Sequence, residues 1–400
     1  MSLNDTVSAE RVHIGFFGMR NAGKSSLVNA VTGQSLSVVS PVKGTTTDPV
    51  QKAMELLPLG PVVILDTPGL DDEGELGALR VQKAMQALQR TDIAVLVTDG
   101  TQPLSARDEE MIALFKKKNV PYLVARSKCD LPQVRPQTDE NTLCVSAVTG
   151  ENIRALKERL AAMAKEKKND RPLVSDLLSD GDVAVLVTPI DESAPKGRMI
   201  LPQQQTMRDI LDHGNTFMTC QPAQLPFVLR SLREKPKLVV TDSQAFASVS
   251  KNVPDDVLLT SFSILFARYK GNLPTLVRGA AQLAKLTDTD TVLISEGCTH
   301  HRQCGDIGTV KLPAWIRKYS GASPSFAFTS GREYPEDLSP YALVVHCGGC
   351  MLNETQMQNR ISAAAGQGVP IVNYGVAIAQ MHGILRRSLE PFPDVLDLIS

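Results

Sequence analysis

Residues 18–25 read Gly-Met-Arg-Asn-Ala-Gly-Lys-Ser, the pattern G-x4-G-K-S of a phosphate-binding loop. The run Arg11–Phe17 predicts a strand before the loop, and a helix is expected from Ser26 to about Val31. The motif requires this strand–loop–helix context, because backbone amides and the helix N-terminus then surround phosphate oxygens. Lys24 is expected to reach the β- and γ-phosphates, and Ser25 to bind Mg²⁺. The predicted loop contacts also include Gly18, Asn21, Ala22, Gly23 and Ser26.

Two stretches further along the chain follow the phosphate loop in the order in which the switch motifs of a nucleotide site occur. Gly44-Thr45-Thr46-Thr47 is a polar loop suited to a mobile switch, with Thr45 and Thr46 at the nucleotide and Thr46 completing the Mg²⁺ shell. Val62–Leu65 predicts a buried strand that ends in Asp66-Thr67-Pro68-Gly69. Asp66 is expected in the outer metal shell, and Gly69 is expected to offer its amide to the γ-phosphate. The residues assigned to catalysis are Lys24, Thr46, Asp66 and Gly69.

The remaining motifs of the first domain follow further apolar runs. Ile93–Thr98 and Tyr122–Ala125 are continuous runs, as expected for a parallel sheet covered on both faces. Ser127-Lys128-Cys129-Asp130 follows the second run, and Ser146-Ala147 follows the short strand Thr142–Val145. All five motifs together resemble those of the translation-factor-like GTPases, which implies a Ras-like α/β domain that binds GTP or GDP with Mg²⁺.

The fourth motif departs from the family pattern, which is Asn-Lys-x-Asp. The resemblance places Ser127, Lys128, Asp130, Ser146 and Ala147 around the guanine, with Asp130 accepting from the two guanine nitrogens that adenine lacks. Ser127 stands where the family has Asn. Because a serine side chain is shorter, we expect it not to make the same contacts to the base and to the phosphate loop.

Two residues bear on the rate of hydrolysis. Leu70 occupies the position where Ras-like enzymes carry a water-orienting Gln, so no side chain there can position the nucleophile. Asn21 matches the Asn that potassium-activated members of the family use as a cation ligand, and K⁺ would supply positive charge in place of an arginine finger. The alternative is that Asn21 only caps the loop. The sequence therefore predicts slow, Mg²⁺-dependent GTP hydrolysis that K⁺ stimulates.

Composition narrows the class of protein. The chain of 400 residues is 42% hydrophobic with a formal net charge of −1, which favours neither nucleic acid nor an anionic membrane as a partner. The N-terminal residues are polar and contain acids, unlike a signal peptide, and no apolar run approaches the roughly 20 residues of a membrane helix. Seven cysteines without a secretory signal indicate a reducing cytoplasm and metal binding or catalysis.

Alternating strand and helix signals predict three α/β domains with mostly parallel sheets. A GTP-binding domain over 1–168 ends in a helix at Glu151–Lys165, a charged linker follows, and two smaller domains span 172–265 and 266–400. The strands predicted in the smaller domains are Val183–Thr188, Phe217–Cys220, Leu238–Thr241, Val257–Ser261, Thr291–Ser295, Tyr341–Val345 and Val369–Val372. The helices predicted there are Gln203–Asp212, Ala223–Glu234 and Leu273–Leu286.

Two clusters of Cys and His follow strands of the last domain. Cys298-Thr299-His300-His301 follows Thr291–Ser295, and His346-Cys347-Gly348-Gly349-Cys350 follows Tyr341–Val345. If these strands are parallel in one sheet, both clusters lie at its carboxyl edge. Three thiolates would hold an iron–sulfur cluster with one iron open or capped by a replaceable group. Candidate fourth or outer ligands are His300, His346 and, from a loop of the middle domain, Asp191.

Other interpretations of these residues remain open. Zinc could be held in a closed tetrahedron by Cys298, His300, Cys347 and Cys350. The Cys-x-x-Cys could instead be a thioredoxin-like redox pair, although the additional Cys and His residues would then have no role. Cys129 and Cys304 are interpreted as non-ligands, and Cys220 as a core residue.

A GTPase domain followed by Cys-x-His, about 45 residues and His-Cys-x-x-Cys resembles the maturation GTPases of iron-only (FeFe) hydrogenases, the HydF family. The resemblance covers the whole chain. It implies a middle dimerisation domain, hence a homodimer, and a 4Fe–4S cluster on Cys298, Cys347 and Cys350 with a labile fourth site. It also implies a scaffold that receives a di-iron precursor from two radical-SAM maturases and delivers it to apo-hydrogenase.

The competing functional class is an RNA-directed GTPase of the tRNA-modification or ribosome-assembly type, with a structural zinc site. That class shares Asn21 and the switch without Gln. The near-neutral charge, the 4% aromatic content and the lack of an RNA-binding motif argue against it.

Overall fold

The computed structural model describes residues 8–35, 50–69, 75–134, 138–167, 171–190, 199–297, 306–331 and 333–399. The chain divides into two compact units, Met1–Asn169 and Asp170–Ser400. In the described residues, no helix combines the length and the apolar character needed to cross a membrane.

The first unit is a six-stranded sheet with helices. Its strands are β1 (Val12–Gly18), β2 (Val50–Leu56), β3 (Gly60–Asp66), β4 (Ile93–Asp99), β5 (Tyr122–Ser127) and β6 (Thr142–Cys144). Its helices are α1 (Lys24–Thr32), α2 (Glu75–Leu88), α3 (Ala106–Lys117) and α4 (Ile153–Lys167). The strand order is β2-β3-β1-β4-β5-β6, and only β2 is antiparallel to its neighbour. The parallel strands β1, β3 and β4 therefore bring the phosphate loop and Asp66 to one edge of the sheet.

The second unit contains two four-stranded parallel sheets. The first has the order β10-β9-β7-β8, with strands β7 (Val183–Val187), β8 (Thr216–Cys220), β9 (Leu238–Thr241) and β10 (Leu258–Ser261). Its helices are α5 (Leu201–Asp212), α6 (Leu225–Ser231), α7 (Phe246–Val249) and α8 (Phe262–Tyr269). β7 and β9 are continuous apolar runs because both of their faces are covered.

The second of these sheets carries the Cys-x-x-Cys loop. Its order is β12-β11-β13-β14, with strands β11 (Thr291–Ser295), β12 (Ser325–Thr329), β13 (Leu343–His346) and β14 (Ile371–Asn373). Its helices are α9 (Leu273–Ala280), α10 (Leu312–Ser320), α11 (Glu354–Gly366), α12 (Tyr374–Met381), α13 (Leu385–Leu389) and α14 (Pro393–Leu396). The hydrophobic core is continuous across both sheets of the second unit.

The Ras-like first domain and the further α/β sheets predicted from sequence are confirmed, and so is the parallel pairing of β11 with β13. Some details differ. The edge strands β2 and β12 were not predicted, because half-exposed edge strands lack a continuous apolar run. The helix predicted over Leu273–Leu286 ends at Ala280 and continues as a 3-10 turn. The boundary predicted between residues 265 and 266 lies within the range of α8, which packs into the common core, and the division into three domains stays a prediction.

Candidate nucleotide site and candidate metal centre

The phosphate loop passes very close to its neighbouring strand. Gly18 has φ 153°, and a Cβ added there would lie 2.3 Å from the carbonyl oxygen of Val97 on β4. Asn21 and Gly23 both have positive φ, 59° and 88°, after which α1 begins at Lys24. Any side chain at position 18 would therefore collide with the backbone of β4, and the turn leads the chain directly into the N-terminus of a helix.

Lys24 and Asp66 meet at this loop. The Lys24 ammonium donates a hydrogen bond to a carboxylate oxygen of Asp66, and the two residues are 9% and 8% exposed. Gly69 also approaches the loop, since a Cβ added to it would lie 3.3 Å from the Arg20 Cα. The fold thus brings three predicted parts of the site together. They are the phosphate loop, Asp66, which was assigned to the metal shell, and Gly69, which was assigned to the γ-phosphate.

Ser127 makes a direct hydrogen bond to the phosphate loop. Its hydroxyl donates a 2.5 Å hydrogen bond to the carbonyl oxygen of Ala22, and the residue is buried. A Cβ added to Gly23 would lie 3.2 Å from the same hydroxyl oxygen. The short serine side chain reaches the loop because the loop backbone lies directly against the end of β5, and the loss of the contacts that Asn makes to the base stays a prediction.

The two guanine motifs are joined through their backbones. The Cys129 amide donates to the Val145 carbonyl at 3.2 Å, and the Ser146 hydroxyl accepts from the amides of Val148 and Thr149 at 3.2 and 3.1 Å. Asp130 is exposed and Ala147 is half-buried. The first of these bonds joins the two predicted base-binding segments, and the other two lie within the turn that follows Ser146.

Asp99, at the end of β4, is a site residue that sequence reasoning missed. It accepts a 2.6 Å hydrogen bond from Lys128, which has φ 62°, and further bonds from Thr101. Burial alone would raise the pKa of the Asp99 carboxyl, but the bonds from Lys128 and Thr101 outweigh it and lower the pKa. The sequence signal that could have identified Asp99 is an acidic residue at the carboxyl end of an apolar strand.

In the second unit, the Cys-x-x-Cys loop begins at the carboxyl edge of the sheet. The Cys347 amide donates to the Ser295 carbonyl at 2.9 Å, and its sulfur accepts from the amides of Gly297 at 3.0 Å and Gly349 at 3.4 Å. Gly349 has φ 64°, which turns its amide toward the sulfur. Two backbone donors aimed at one sulfur suit a thiolate better than a thiol.

Both thiols of the loop are protonated more firmly than an exposed cysteine. Burial raises the pKa of Cys347 to about 11, against the opposing effect of the Gly297 amide. Burial also raises the pKa of Cys350, which the Lys270 ammonium partly offsets. Lys270 is itself buried and donates to the Leu352 carbonyl at 3.3 Å.

His346, predicted as a possible fourth or outer ligand, is buried beside the Cys loop. The residue is 0% exposed and both ring nitrogens are engaged: Nε2 lies 2.9 Å from an Arg360 guanidinium nitrogen, and Nδ1 lies 2.7 Å from the Cys347 carbonyl. Since a guanidinium can only donate, Nε2 accepts and Nδ1 carries the proton. Burial, with the Arg360 charge, lowers the pKa of His346 to about 3. The imidazole therefore supports the Cys loop and has no lone pair left for a metal.

Arg360, on α11, was also missed by sequence reasoning. It is 3% exposed, donates to the Gly331 carbonyl at 2.7 Å and lies 4.9 Å from the centre of the Tyr334 ring. No sequence signal distinguished it from an ordinary surface arginine of a helix.

Several residues predicted for the two sites lie outside the described residues. They are Thr45, Thr46, Leu70, Asp191, Cys298, His300 and Cys304. In the part of the chain that the structure describes, no group of three or more His, Cys, Asp or Glu side chains could hold a metal ion. Cys220 is buried on β8 as expected, and burial raises the pKa of Cys129 to about 12.

Comparison with known proteins supports the class of the first unit. Residues 13–128 match the family model of a 50S ribosome-binding GTPase. The tRNA modification GTPase MnmE of Xanthomonas euvesicatoria pv. vesicatoria is 37% identical over 154 residues, which are 38% of this chain and 34% of that protein. GTPase Der of Clostridium acetobutylicum is 34% identical over 141 residues, 34% of this chain and 32% of that protein. The matched segment is thus about a third of the length of these relatives.

A solved structure of Era with MgGDPNP and a 16S ribosomal RNA segment is 26% identical, covers 38% of this chain and 56% of that chain, and has a TM-score of 0.33.

The fold, the phosphate loop and the family match define the chain as a P-loop GTPase with additional α/β domains.

The second unit specifies the family. Residues 173–271 match the hydrogen maturase F dimerization domain, and residues 274–391 match the hydrogen maturase F tetramerization domain. With the GTPase domain before them, these matches reproduce the architecture of hydrogen maturase F, and the chain belongs to the HydF family of hydrogenase maturation GTPases.

Proposed function

We propose that this chain is a GTP-hydrolysing scaffold that holds a 4Fe–4S cluster on Cys298, Cys347 and Cys350. In this role it assembles or carries a di-iron precursor, received from two radical-SAM maturases, and delivers it to apo FeFe-hydrogenase in the cytoplasm. The family assignment supports the maturation role. The cluster and its cargo are inferences from the cysteine positions.

The observation that carries the metal half of the proposal is the hydrogen bond from the Gly297 amide to the Cys347 sulfur, 3.0 Å long. Gly297 is the residue immediately before Cys298, so the end of β11 and the Cys-x-x-Cys loop meet at one sulfur. Amide donors at thiolate sulfur are a feature of iron–sulfur sites and tune their potentials. The donor set of this loop therefore fits a thiolate-bound cluster, which would supply an electron-accepting metal centre with one replaceable ligand.

Anaerobic reconstitution with iron and sulfide tests this half. We expect about four irons and four sulfides per chain, with broad absorption near 400 nm. Cys347→Ser should lose most of the metal, whereas Cys220→Ser, which alters a buried thiol of the other sheet, should retain it. A colourless protein that binds one zinc per chain would instead support the tetrahedral zinc site.

For the nucleotide half, we propose slow Mg²⁺-dependent hydrolysis stimulated by K⁺. Asn21 has positive φ in the turn of the phosphate loop that leads to Lys24, which is compatible with a role at the phosphates. GTP hydrolysis should be faster in KCl than in NaCl at equal ionic strength, and Asn21→Ala should abolish the difference. Equal rates in the two salts would favour the alternative in which Asn21 only caps the loop.

The RNA-directed alternative loses support from the match of residues 173–391 to the two hydrogen maturase models. The tRNA-modification and Der relatives correspond only to the GTPase part of the chain. A salt-dependent shift of RNA by the purified protein would revive this alternative.

A further inference from the structure

A row of polar side chains ends the four strands of the sheet that carries the Cys loop. By strand register, Thr329 lies beside Ser295, Ser295 beside His346, and His346 beside Asn373. The Thr329 hydroxyl donates to the Ser295 hydroxyl oxygen at 3.0 Å. An Arg360 guanidinium nitrogen lies 3.4 Å from that oxygen and 2.9 Å from His346 Nε2. The row therefore connects the edge strand β12 to a buried cation.

Among the described residues, Arg360 has no carboxylate among its partners. Its partners in the described part of the chain are His346, the Ser295 hydroxyl, the Gly331 carbonyl and the face of Tyr334, all of them neutral, and no ion pair involves it there. Burying an arginine without a counter-charge is costly unless a negative group enters the same region. The Cys347 sulfur belongs to this region, because it interacts electrostatically with Arg360 and because His346 is bonded to both Arg360 and the Cys347 carbonyl.

We propose that Arg360 is the built-in counter-charge of the thiolate site, and that it stabilises the reduced state of the cluster held there. This inference rests on the proposed function. Each bound thiolate brings a negative charge, and reduction adds another when one electron passes from a reduced mediator dye to the cluster. The fixed positive charge of Arg360 favours both the thiolates and the reduced cluster. The neutral His346, which is bonded to Arg360 and to the Cys347 carbonyl, keeps the guanidinium in position.

The size of the effect follows from Coulomb's law. Removing one charge across roughly 10 Å at an effective dielectric constant of about 20 changes the ratio of reduced to oxidised cluster about tenfold at a fixed solution potential. Glu296, whose carboxylate accepts from the Tyr374 hydroxyl at 3.3 Å, disfavours negative charge on Cys347, whereas the Arg360 charge favours it.

Redox titration of the reconstituted protein, followed by its electron-spin signal, tests the proposal. Arg360→Gln should lower the reduced-to-oxidised ratio about tenfold at the wild-type midpoint, because the charge is lost while an amide remains to donate hydrogen bonds. Arg360→Lys should stay near wild type. The control is Arg317→Gln, since Arg317 is an exposed arginine that stacks 5.0 Å from the Phe326 ring centre in the same domain. It should leave the ratio unchanged.

A second pair of variants covers the case in which Arg360→Gln does not fold. Thr329→Asp and Thr329→Asn are nearly isosteric, leave Arg360 in place and differ by one negative charge near it. Thr329 is half-buried at the end of an edge strand, so both should fold. The Asp variant should shift the ratio in the same direction as Arg360→Gln, relative to the Asn variant.

The outcomes separate the inference from the function on which it rests. Wild-type protein without iron and sulfide after reconstitution overturns both. A normal cluster with equal ratios in Thr329→Asp and Thr329→Asn, or in Arg360→Gln and wild type, overturns the role of Arg360 alone. A shift in Arg360→Lys as large as that in Arg360→Gln also overturns it, because geometry and not charge would then be responsible.

Discussion

Ser127 illustrates how one side chain connects two parts of the nucleotide site. Its hydroxyl is at the carboxyl end of β5, and its acceptor is Ala22, 105 residues earlier in the chain. The same position is closely packed, since a Cβ added to Gly100 would lie 2.3 Å from the Ser127 carbonyl oxygen. The base-binding motif therefore positions the phosphate loop through this hydrogen bond.

Ser127→Ala should weaken GDP binding about five- to tenfold, measured by titration calorimetry. The reason is that the buried Ala22 carbonyl loses its hydrogen-bond donor, which costs roughly 1–3 kcal/mol. Part of this cost appears as a less ordered phosphate loop, which binds GDP more weakly. The control is Ser231→Ala, which removes a hydroxyl that bonds only within its own helix, to the Val228 carbonyl at 2.9 Å. Unchanged GDP affinity in Ser127→Ala would show that the loop does not need this bond.

Cys129 should be a poor nucleophile in the folded protein. Burial, followed by the Glu151 carboxylate, raises the pKa of its thiol from 9.0 to about 12. The folded state therefore keeps its proton between pH 9 and 12, where the unfolded chain loses it, so this group lowers stability as pH rises through that window. At pH 8.5, iodoacetamide should modify Cys129 at least tenfold more slowly than in the urea-unfolded chain. Equal modification rates, read by peptide mass spectrometry, would contradict this.

Two edge strands of the second unit are exposed elements. Among the described strands, β8 pairs with β7 alone, and Met218 on it is 37% exposed. In the same set β12 pairs with β11 alone, and Phe328 on it is 39% exposed. An edge strand presents backbone groups that can pair with another chain. The family models name the first of these regions a dimerization domain and the second a tetramerization domain. We propose that β8 forms the dimer contact and β12 a contact in the larger assembly.

Met218→Lys should raise the dimer dissociation constant at least tenfold, because a buried lysine charge opposes strand pairing between copies. Light scattering after size-exclusion chromatography would measure it. Phe328→Lys is the matched variant: it should leave the dimer intact and reduce only the larger assembly. A dimer in Met218→Lys as tight as wild type would place the contact elsewhere, for example on the exposed Phe227 of α6.

For the whole molecule, the two candidate sites belong to different compact units. The Lys24–Asp66 pair is within Met1–Asn169, and the Cys loop is within Asp170–Ser400. Metal binding and GTP hydrolysis should therefore be separable.

Cys347→Ser should lose the cluster but hydrolyse GTP at the wild-type rate. Lys24→Ala should lose at least 100-fold in hydrolysis, because the transition-state charge loses its main cation, yet it should bind iron and sulfide normally. Iron analysis and phosphate release measure the two properties in the same samples. Both variants should fail to activate apo-hydrogenase. Activation by Cys347→Ser at the wild-type rate would contradict the scaffold proposal.

The sequence by itself determined the features that depend on local pattern. A strand, a glycine loop and a helix predicted the phosphate site, and apolar runs before Cys298 and Cys347 placed both clusters after strands of the same parallel sheet. Continuous apolar runs indicate strands that are buried on both faces, as in a parallel sheet. Because parallel strands end at a common edge, the runs also predict where the sites lie. For the same reason the half-exposed β2 and β12 were not predicted.

Only the tertiary structure decided which side chains meet. Ser127 reaches Ala22, and Arg360 occupies the His346 nitrogen that the sequence left available for a metal. These partners are on different elements, and their contact depends on how closely strand ends and helices pack. Periodicity and motif spacing carry no information about that distance, and a hydrogen bond forms only within a few tenths of an ångström of about 2.9 Å.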